Sequence, residues 1–352
     1  MGDQRTKGAI IGARGLLFLG AGASRSLGKL LMGEFIEDCK KAGPPWPGTD
    51  LFDAITAEKK DLEFLLEQLE ALGSMKYLNR VSVDSVRSPT AFLGLGTSPP
   101  SRAALEPPPL ALLDAARSLL GWTKRRVFEH YGRLVLPLRV QRCLANLLKV
   151  ASAGEARTVV FTTNYDPAVE EVCRLEKRPL VDGFLNDTWG REYYWDRSAF
   201  DGLESPQAGT VVLFKLHGST TWVGQGGRIV KVRPTFADEN ALVENILIYP
   251  ATRKVAIVEP FFSAYDYFEK CLSSATFCVF VGYSFRDYDT VMRLRAAQTW
   301  NPGLKVVILD PLAPTLAEWL EDSSGVRATP LPFSFCDQEN LYLPGLEEVL
   351  GQ

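Results

Sequence analysis

The sequence predicts an α/β fold, a Rossmann-like parallel sheet with helices on both faces. Five short apolar runs of strand length alternate along the chain with helical patterns, which is typical of a parallel sheet. Each run stops at glycine or at polar residues, as a buried central strand does where it meets a loop. The runs are residues 16–19, 158–162, 211–216, 277–281 and 305–309.

Composition indicates an ordinary soluble globular protein. The chain has 352 residues, of which 46% are hydrophobic and 23% are charged. This length allows one large domain with insertions or two domains. The formal net charge of -3 gives the protein no general attraction to nucleic acid.

Cysteine spacing and hydropathy indicate the compartment. The six cysteines contain no Cys-x-x-Cys pair, so we expect no metal site, in particular no structural zinc, and no disulfide framework. A cytoplasmic location fits this pattern best because the cytoplasm is reducing. Arg14 interrupts the apolar stretch near the N-terminus, which argues against a signal peptide, and we expect no membrane span.

The first run leads into residues 20–24, a loop that reads Gly-Ala-Gly-Ala-Ser. Because glycine has no Cβ, the backbone can turn sharply there and approach a ligand closely. Apolar residues then recur at helical spacing, which predicts a helix that begins at about Ser26 behind the loop and favours an anion at its N-terminus. The third glycine of the common dinucleotide motif is missing, so a plain strand-to-helix turn is the alternative.

Two segments interrupt the sheet pattern. A helical insertion is predicted over about residues 44–154, with helices around 62–72, 110–120 and 140–151 and a proline-rich loop at 85–109. A second, aromatic excursion is predicted at about residues 176–209, where the cluster at 189–195 is either a lid or loop packing. Short alternating segments further on predict a hairpin around residues 224–227 and a strand at 246–249.

Polar residues follow the later runs. Residues 162–166 read Thr-Thr-Asn-Tyr-Asp, and the proline and acids that come next predict a helix capped by Asp166. Residues 215–219 read Lys-Leu-His-Gly-Ser, residues 282–287 read Gly-Tyr-Ser-Phe-Arg-Asp, and Asp310 follows the last run. Open parallel sheets bind ligands at the carboxyl ends of their strands. We therefore expect these segments and residues 20–24 to form one site.

These motifs resemble those of the sirtuin superfamily, in the same order along the chain. The resemblance covers about residues 16–310 and rests on the Gly-Ala-Gly-x-Ser, Thr-x-Asn-x-Asp, Leu-His-Gly and Gly-x-Ser segments. The chain lacks the four cysteines of the sirtuin zinc module and the Gly-Ile-Pro-Asp-Phe-Arg continuation. Its Thr-Thr-Asn-Tyr-Asp and Gly-Tyr-Ser-x-x-Asp-x-Asp forms are more similar to the sirtuin-like domains of bacterial antiphage defence systems, which hydrolyse NAD.

The resemblance implies a function. It implies that residues 1–352 form a single sirtuin-like domain without a zinc module, and that the protein is an NAD+ glycohydrolase that releases nicotinamide and ADP-ribose. NAD would be its substrate, and depletion of NAD would make it an antiphage defence effector. A homo-oligomer is expected, with an activating partner such as a DNA-translocating ATPase or an Argonaute-type protein. The alternatives are an NAD-dependent protein deacylase without zinc and a non-catalytic module that senses NAD or a related nucleotide.

Elementary chemistry assigns the catalytic candidates. Cleavage of the nicotinamide–ribose bond passes through an oxocarbenium-like state and needs a base with a pKa near 7, which histidine provides. Of the two histidines, His217 lies at a strand end beside a glycine and is the predicted base, whereas His130 in the insertion is predicted to be structural or on the surface. Asn164 is predicted to orient the attacking water or the nicotinamide amide, with a turn-forming role as the alternative.

The remaining predicted site residues bind NAD. The diphosphate is expected on residues 20–24, and Asp310 is expected to accept a ribose hydroxyl, as acids at such strand ends do. Tight turns and helix caps are the simpler alternatives for these positions, and Lys215 is predicted to be a strand-edge charge. The predicted NAD-binding residues are Gly20, Ala21, Gly22, Ser24, Asp166, Gly282, Ser284, Asp287 and Asp310.

Overall fold

A computed structural model describes residues 13–46, 48–58, 61–78, 110–152, 154–155, 157–186, 193–201, 203, 207–225, 227–232, 246–248, 259–336 and 339–351. The chain divides into two compact units. The first comprises residues 1–29, 131–249 and 254–352, and the second comprises residues 30–130 and 250–253. A single sirtuin-like domain over residues 1–352, with its insertion at about 44–154, stays a prediction.

The strands of the first unit form two sheets. The strands are β1 (Gly15–Leu19), β2 (Arg157–Thr162), β3 (Leu180–Val181), β4 (Phe184–Asn186), β5 (Tyr193–Trp195), β6 (Thr210–Lys215), β7 (Gly218–Gln225), β8 (Arg228–Lys231), β9 (Ile246–Ile248), β10 (Phe277–Val281), β11 (Lys305–Leu309) and β12 (Ala328–Leu331). The larger sheet has the order β12-β11-β10-β1-β2-β6-β3, and all its pairs are parallel. Each predicted run is a strand of this sheet, so the predicted fold class is confirmed.

The smaller sheet is antiparallel, with the order β4-β5-β8-β7-β9. Gln225 pairs with Arg228, which confirms the predicted hairpin around residues 224–227, and β9 confirms the strand predicted at 246–249. Residues 193–195 of the aromatic excursion form β5 in this sheet. Trp189, from the same cluster, lies outside the described residues, as do residues 85–109 of the proline-rich loop.

Helices cover both faces of the larger sheet. The α-helices of the described residues, taken over both units, are α1 (Ala21–Arg25), α2 (Met32–Ala42), α3 (Gly48–Glu58), α4 (Leu62–Leu78), α5 (Leu110–Val127), α6 (Leu138–Ala151), α7 (Ala168–Leu175), α8 (Phe261–Leu272), α9 (Tyr288–Trp300), α10 (Ala313–Ser324) and α11 (Glu339–Leu350). Alternate residues of each strand point to opposite faces, so Leu16 and Phe18 lie in one core with α8, α9 and α10. Leu17 and Leu19 lie in the other core with α6, α7 and α11. None of the helices in these described stretches is long and apolar enough to span a bilayer.

The described part of the second unit is helical, with α2, α3, α4 and α5. In α4 the predicted apolar stripe is fully buried at Leu62, Leu65, Leu66 and Leu69, and α5 confirms the helix predicted around residues 110–120. The helix predicted around residues 140–151 also forms, as α6, but it packs on the sheet of the first unit. The predicted insertion at about 44–154 therefore includes one helix that packs on the sheet.

The prediction that a helix begins at about Ser26 is wrong in its first residue. Helix α1 begins within the loop itself, at Ala21, and ends at Arg25. Gly28 then takes a φ of 72°, a left-handed conformation that interrupts a right-handed helix. The helical spacing resumes only in α2, which begins at Met32.

Candidate active site

The loops that follow β10, β1, β2 and β6 converge at the carboxyl edge of the larger sheet. A contact between two side chains shows this convergence. Nε2 of His217, which follows β6, lies 3.7 Å from Oδ2 of Asp287, which follows β10. Strands β2 and β1 lie between these two strands, a separation of roughly 14 Å at the usual strand spacing. The segments after β6 and β10 must therefore reach toward each other across the ends of the central strands.

The three glycines predicted for NAD binding pack against one another. Gly22 N donates to Gly282 O at 2.8 Å, and a Cβ at Gly22 would lie 2.7 Å from the Cα of Gly282. A Cβ at Gly20 would lie 2.5 Å from Gly282 O, and one at Gly282 would lie 2.3 Å from Ala23 N. The close backbone approach that these glycines permit is thus an approach of two loops to each other.

This packing uses most of the loop's donors. Gly20 N donates to Val281 O at 2.9 Å, and Ala23 N donates to Gly20 O at 3.0 Å. With Gly22 N bound to Gly282, the amide of Ala21 is the one among residues 20–23 that no described hydrogen bond uses. The described contacts therefore leave one amide of residues 20–23, that of Ala21, for the anion that the sequence predicts there.

Asn164 is held in one orientation. Its Nδ2 donates to Gly20 O at 2.9 Å and to Ser24 Oγ at 2.9 Å. Because a backbone carbonyl only accepts, the amide nitrogen must face Gly20, and Oδ1 must point the other way. No hydrogen bond among the described residues uses Oδ1. Asn164 therefore presents an acceptor in a fixed direction.

Ser24 connects Asn164 to Asp166 through hydrogen bonds, and both Ser24 and Asp166 are buried. Ser24 Oγ donates a hydrogen bond to Asp166 Oδ2 at 2.6 Å. The other carboxylate oxygen, Asp166 Oδ1, accepts from Ala168 N at 3.1 Å in the first turn of α7. Asp166 thus binds the first amide of its helix, as expected of a capping acid, although the residue directly before α7 is Pro167. Ser24 does not cap a helix, since the residue that precedes α1 is Gly20. Burial lowers the pKa of the nearby Lys29, and the charge of Asp166 acts in the opposite direction.

The other predicted residues differ in their placement. Asp287 caps α9, accepting from Asp289 N at 3.1 Å and from Thr290 Oγ1 at 3.0 Å, while the same carboxylate faces His217. Ser284 is exposed in the loop after β10. Asp310 accepts from Leu312 N at 2.8 Å in a turn, and no described contact joins its side chain to the other site residues.

The second histidine lies in the second unit. Nε2 of His130 is 3.0 Å from Oδ2 of Asp38 and 3.1 Å from a guanidinium nitrogen of Arg126. Arg126 also bonds Asp38, and the imidazole meets Phe35 edge to face. The environment of His130 is therefore a local ion-pair cluster.

Sequence reasoning missed one buried residue, Lys215. The prediction of a strand-edge charge is wrong, because β6 lies between β2 and β3 and the Lys215 side chain is 1% exposed. Its Nζ donates to the carbonyl oxygens of Asp166 at 2.5 Å and Asn164 at 3.3 Å. A signal existed: lysine sits in an otherwise apolar buried strand, where a charge is rarely found unless it is paired.

Two cavities bear on where a ligand fits. The smaller, of about 20 Å³, is lined by Ser24, Asn164, Asp166 and apolar side chains, and has room for about one water molecule. The larger, of about 630 Å³, lies beside Lys305 and Ala328, the first residues of β11 and β12. It is thus at the amino edge of the sheet, away from the predicted site residues.

The described cysteines are all buried. Burial raises the pKa of the Cys39, Cys173 and Cys271 thiols to about 12, so they remain protonated at neutral pH. Within the described ranges no group of three or more His, Cys, Asp or Glu side chains is placed to hold a metal ion. The expected absence of zinc stays a prediction.

Comparison with known proteins gives a family for part of the chain. The model of the SIR2-like domain matches residues 158–328, and no curated protein matches the chain in sequence. Similar solved structures include a Sir2 homologue mutant with ADP-ribose, 13% identical, with a TM-score of 0.40, covering 100% of this chain and 98% of that chain.

Two further solved structures are similar to the same degree. A mutant of Sir2 homologues with 2'-O-acetyl ADP-ribose is 11% identical, with a TM-score of 0.41 and coverage of 100% and 99% of the two chains. A structure on the mechanism and regulation of Sir2 enzymes is 13% identical, with a TM-score of 0.35 and coverage of 98% and 95%. Such values carry no functional argument. The family match to residues 158–328 confirms the predicted resemblance to the sirtuin superfamily.

Proposed function

We propose that this chain, in which residues 158–328 match the SIR2-like domain, hydrolyses NAD+ to nicotinamide and ADP-ribose. NAD+ is then its substrate, as the resemblance of the site motifs to those of the sirtuin superfamily implies. The observation that carries the proposal is the convergence of a paired histidine and an oriented asparagine at the carboxyl edge of the sheet.

His217 would act as the general base. Its imidazole would take a proton from the attacking water or from a ribose hydroxyl, and would become positively charged. The carboxylate of Asp287, 3.7 Å away, favours that charged form because opposite charges at such a distance attract. The cap on α9 holds this carboxylate in place.

Asn164 would act as the orienting group. The Oδ1 atom is an acceptor, which suits a hydrogen from water or from the amide of nicotinamide. Its direction is set by the bonds from Nδ2 to Gly20 O and Ser24 Oγ. A fixed acceptor costs little reorganisation when the transition state forms.

We place the diphosphate of NAD over residues 20–24. The connection from β1 leads toward β2, and that from β10 leads toward β11 on the other side. Ligands of open α/β sheets bind at such a switch point. The Ala21 amide is the donor left for a phosphate oxygen, and Gly282, Ser284 and Asp310 border the same edge.

The test is incubation of the protein with NAD+ and chromatography of the products. His217→Ala should lower turnover by ~10²- to 10⁴-fold, the usual loss of general base catalysis, with ADP-ribose binding largely retained. Asn164→Ala should also lower turnover, and the two losses together should be less than their product because both residues serve one step. His130→Ala is the matched control and should change little.

Other outcomes would favour other functions. Turnover that depends on an acylated peptide would favour a zinc-free deacylase, and NAD+ binding without turnover would favour a sensing module. Hydrolysis by the His217 variant at the parent rate, or its loss in the His130 variant alone, would overturn the catalytic assignment.

A cellular role follows from the proposed activity and from the resemblance to defence proteins. As an NAD-depleting effector of antiphage defence, the enzyme would need to stay silent until infection. An activating partner, such as a DNA-translocating ATPase or an Argonaute-type protein, or assembly into a homo-oligomer, would supply that control in the cytoplasm.

A further inference from the structure

Lys215 is a buried cation directly behind the proposed catalytic residues. It ends β6, where it pairs with Thr162 of β2, and its side chain is 1% exposed. Removing an ammonium group from water is costly unless other groups replace the lost hydration. The groups that replace this hydration indicate the role of Lys215.

The groups that replace the lost hydration of Lys215 are backbone carbonyls of the turn that carries Asn164. Nζ of Lys215 donates to Asp166 O at 2.5 Å and to Asn164 O at 3.3 Å. It also lies 3.5 Å from Oε1 of Glu170 in α7. Neither carboxylate oxygen of Glu170 accepts a hydrogen bond from the described residues. Its charge is compensated by the ion pair with Lys215 and also by the charge of Lys231.

The carbonyl between these two is held as well. Tyr165 O accepts from Thr220 N and Thr220 Oγ1, each at 3.1 Å, and from Ser219 Oγ at 3.4 Å. Three successive carbonyls, those of residues 164, 165 and 166, are therefore bound by groups that flank His217 in the chain. Hydrogen bonds therefore connect residues 215–220, which carry the proposed base, to the turn at 164–166, which carries the orienting amide.

We infer that Lys215 is a positioning residue that fixes Asn164 relative to His217. The kinetic part of this inference rests on the proposed hydrolase function. Loss of the ammonium would release the carbonyls of Asn164 and Asp166, and the turn could then shift the amide from its productive direction. A misplacement of about 1 Å can lower a rate by about 10²-fold.

The test variant is Lys215→Met combined with Glu170→Gln. Methionine keeps an unbranched apolar stem, and glutamine avoids leaving a buried carboxylate without its partner, which would threaten folding. The matched control is Lys231→Met combined with Asp182→Asn. That pair is another lysine–carboxylate ion pair of the same unit, and it does not contact the carbonyls of residues 164–166 in the described bonds.

Kinetics separate positioning from a general structural role. The Lys215 double variant should lose about 10²-fold in kcat with KM and ADP-ribose affinity unchanged, and the control should keep the parent kcat. In an Asn164→Ala background the Lys215 substitutions should cost almost nothing more, because they act through Asn164. An equal loss in both backgrounds, or no loss in either, would overturn the inference.

Hydrogen exchange gives a readout that does not need activity. The amides of residues 164–166 and 168 should exchange roughly 10- to 100-fold faster in the Lys215 double variant, as expected for losing a hydrogen bond to a charged donor, and at the parent rate in the control. Unchanged exchange would overturn the inference. A parent that does not hydrolyse NAD+ refutes the proposed function instead, and exchange alone then decides whether Lys215 fixes the turn.

Discussion

Gly282 offers a direct test of the contact between the two glycine loops. It has a φ of 59°, and an added Cβ would lie 2.3 Å from Ala23 N and 2.6 Å from Gly22 Cα. Gly28 has a similar φ of 72°, but an added Cβ there would have nothing within 4 Å. The substitutions Gly282→Ala and Gly28→Ala therefore share the cost of a left-handed backbone, but only Gly282→Ala adds a steric overlap.

The shared cost is the left-handed backbone, which is roughly 1–2 kcal/mol for a residue with a Cβ. The second cost is the overlap, which forces packed backbones apart and typically amounts to about 1–3 kcal/mol. We expect Gly282→Ala to lower the free energy of unfolding by about 2–5 kcal/mol and Gly28→Ala by about 1–2 kcal/mol. The difference between the variants measures the loop contact.

Urea unfolding of both variants, with the m-value checked against the parent, measures this difference. If both variants lose the same stability, the two loops do not pack as tightly as the structure has them. The same geometry means that Gly22→Val would disturb the fold as well as any binding, since its Cβ would lie 2.7 Å from Gly282 Cα. It is therefore a poor probe of NAD binding.

Two further predictions concern ligands. Ala21→Pro should weaken ADP-ribose binding, measured by calorimetry, because it removes the unused amide of the loop. The fold should tolerate it, since Ala21 is the first residue of α1 and Gly20 before it is extended, positions that suit proline and its neighbour; unchanged affinity would argue against the diphosphate site. Elemental analysis of tag-free protein should find no stoichiometric zinc, because the cysteine spacing lacks a workable ligand set; stoichiometric zinc would favour a deacylase.

The sequence by itself was sufficient for the features that depend on short spacings. Apolar runs bounded by glycine and polar residues determined the strands of the parallel sheet, because a strand buried on both faces has to be apolar throughout. Acids that follow a strand and precede a helical pattern indicated the carboxylates that accept from the first turns of α7 and α9, Asp166 and Asp287. The position of His217 and Asn164 at the carboxyl edge followed from the rule that parallel strands end at the same side.

Contacts between distant segments were decided by the tertiary structure. The pairing of His217 with Asp287 depends on the strand order, and nothing local in the sequence places β10 beside β1. The role of Lys215 depends in the same way on the turn after β2, which lies 49 residues earlier in the chain at Asp166. The glycines were recognised as sites of close approach, but whether they approach a ligand or each other depends on which loops meet. Periodicity and turn chemistry act over a few neighbouring residues, whereas the partner of a buried charge is chosen by the packing of the whole sheet.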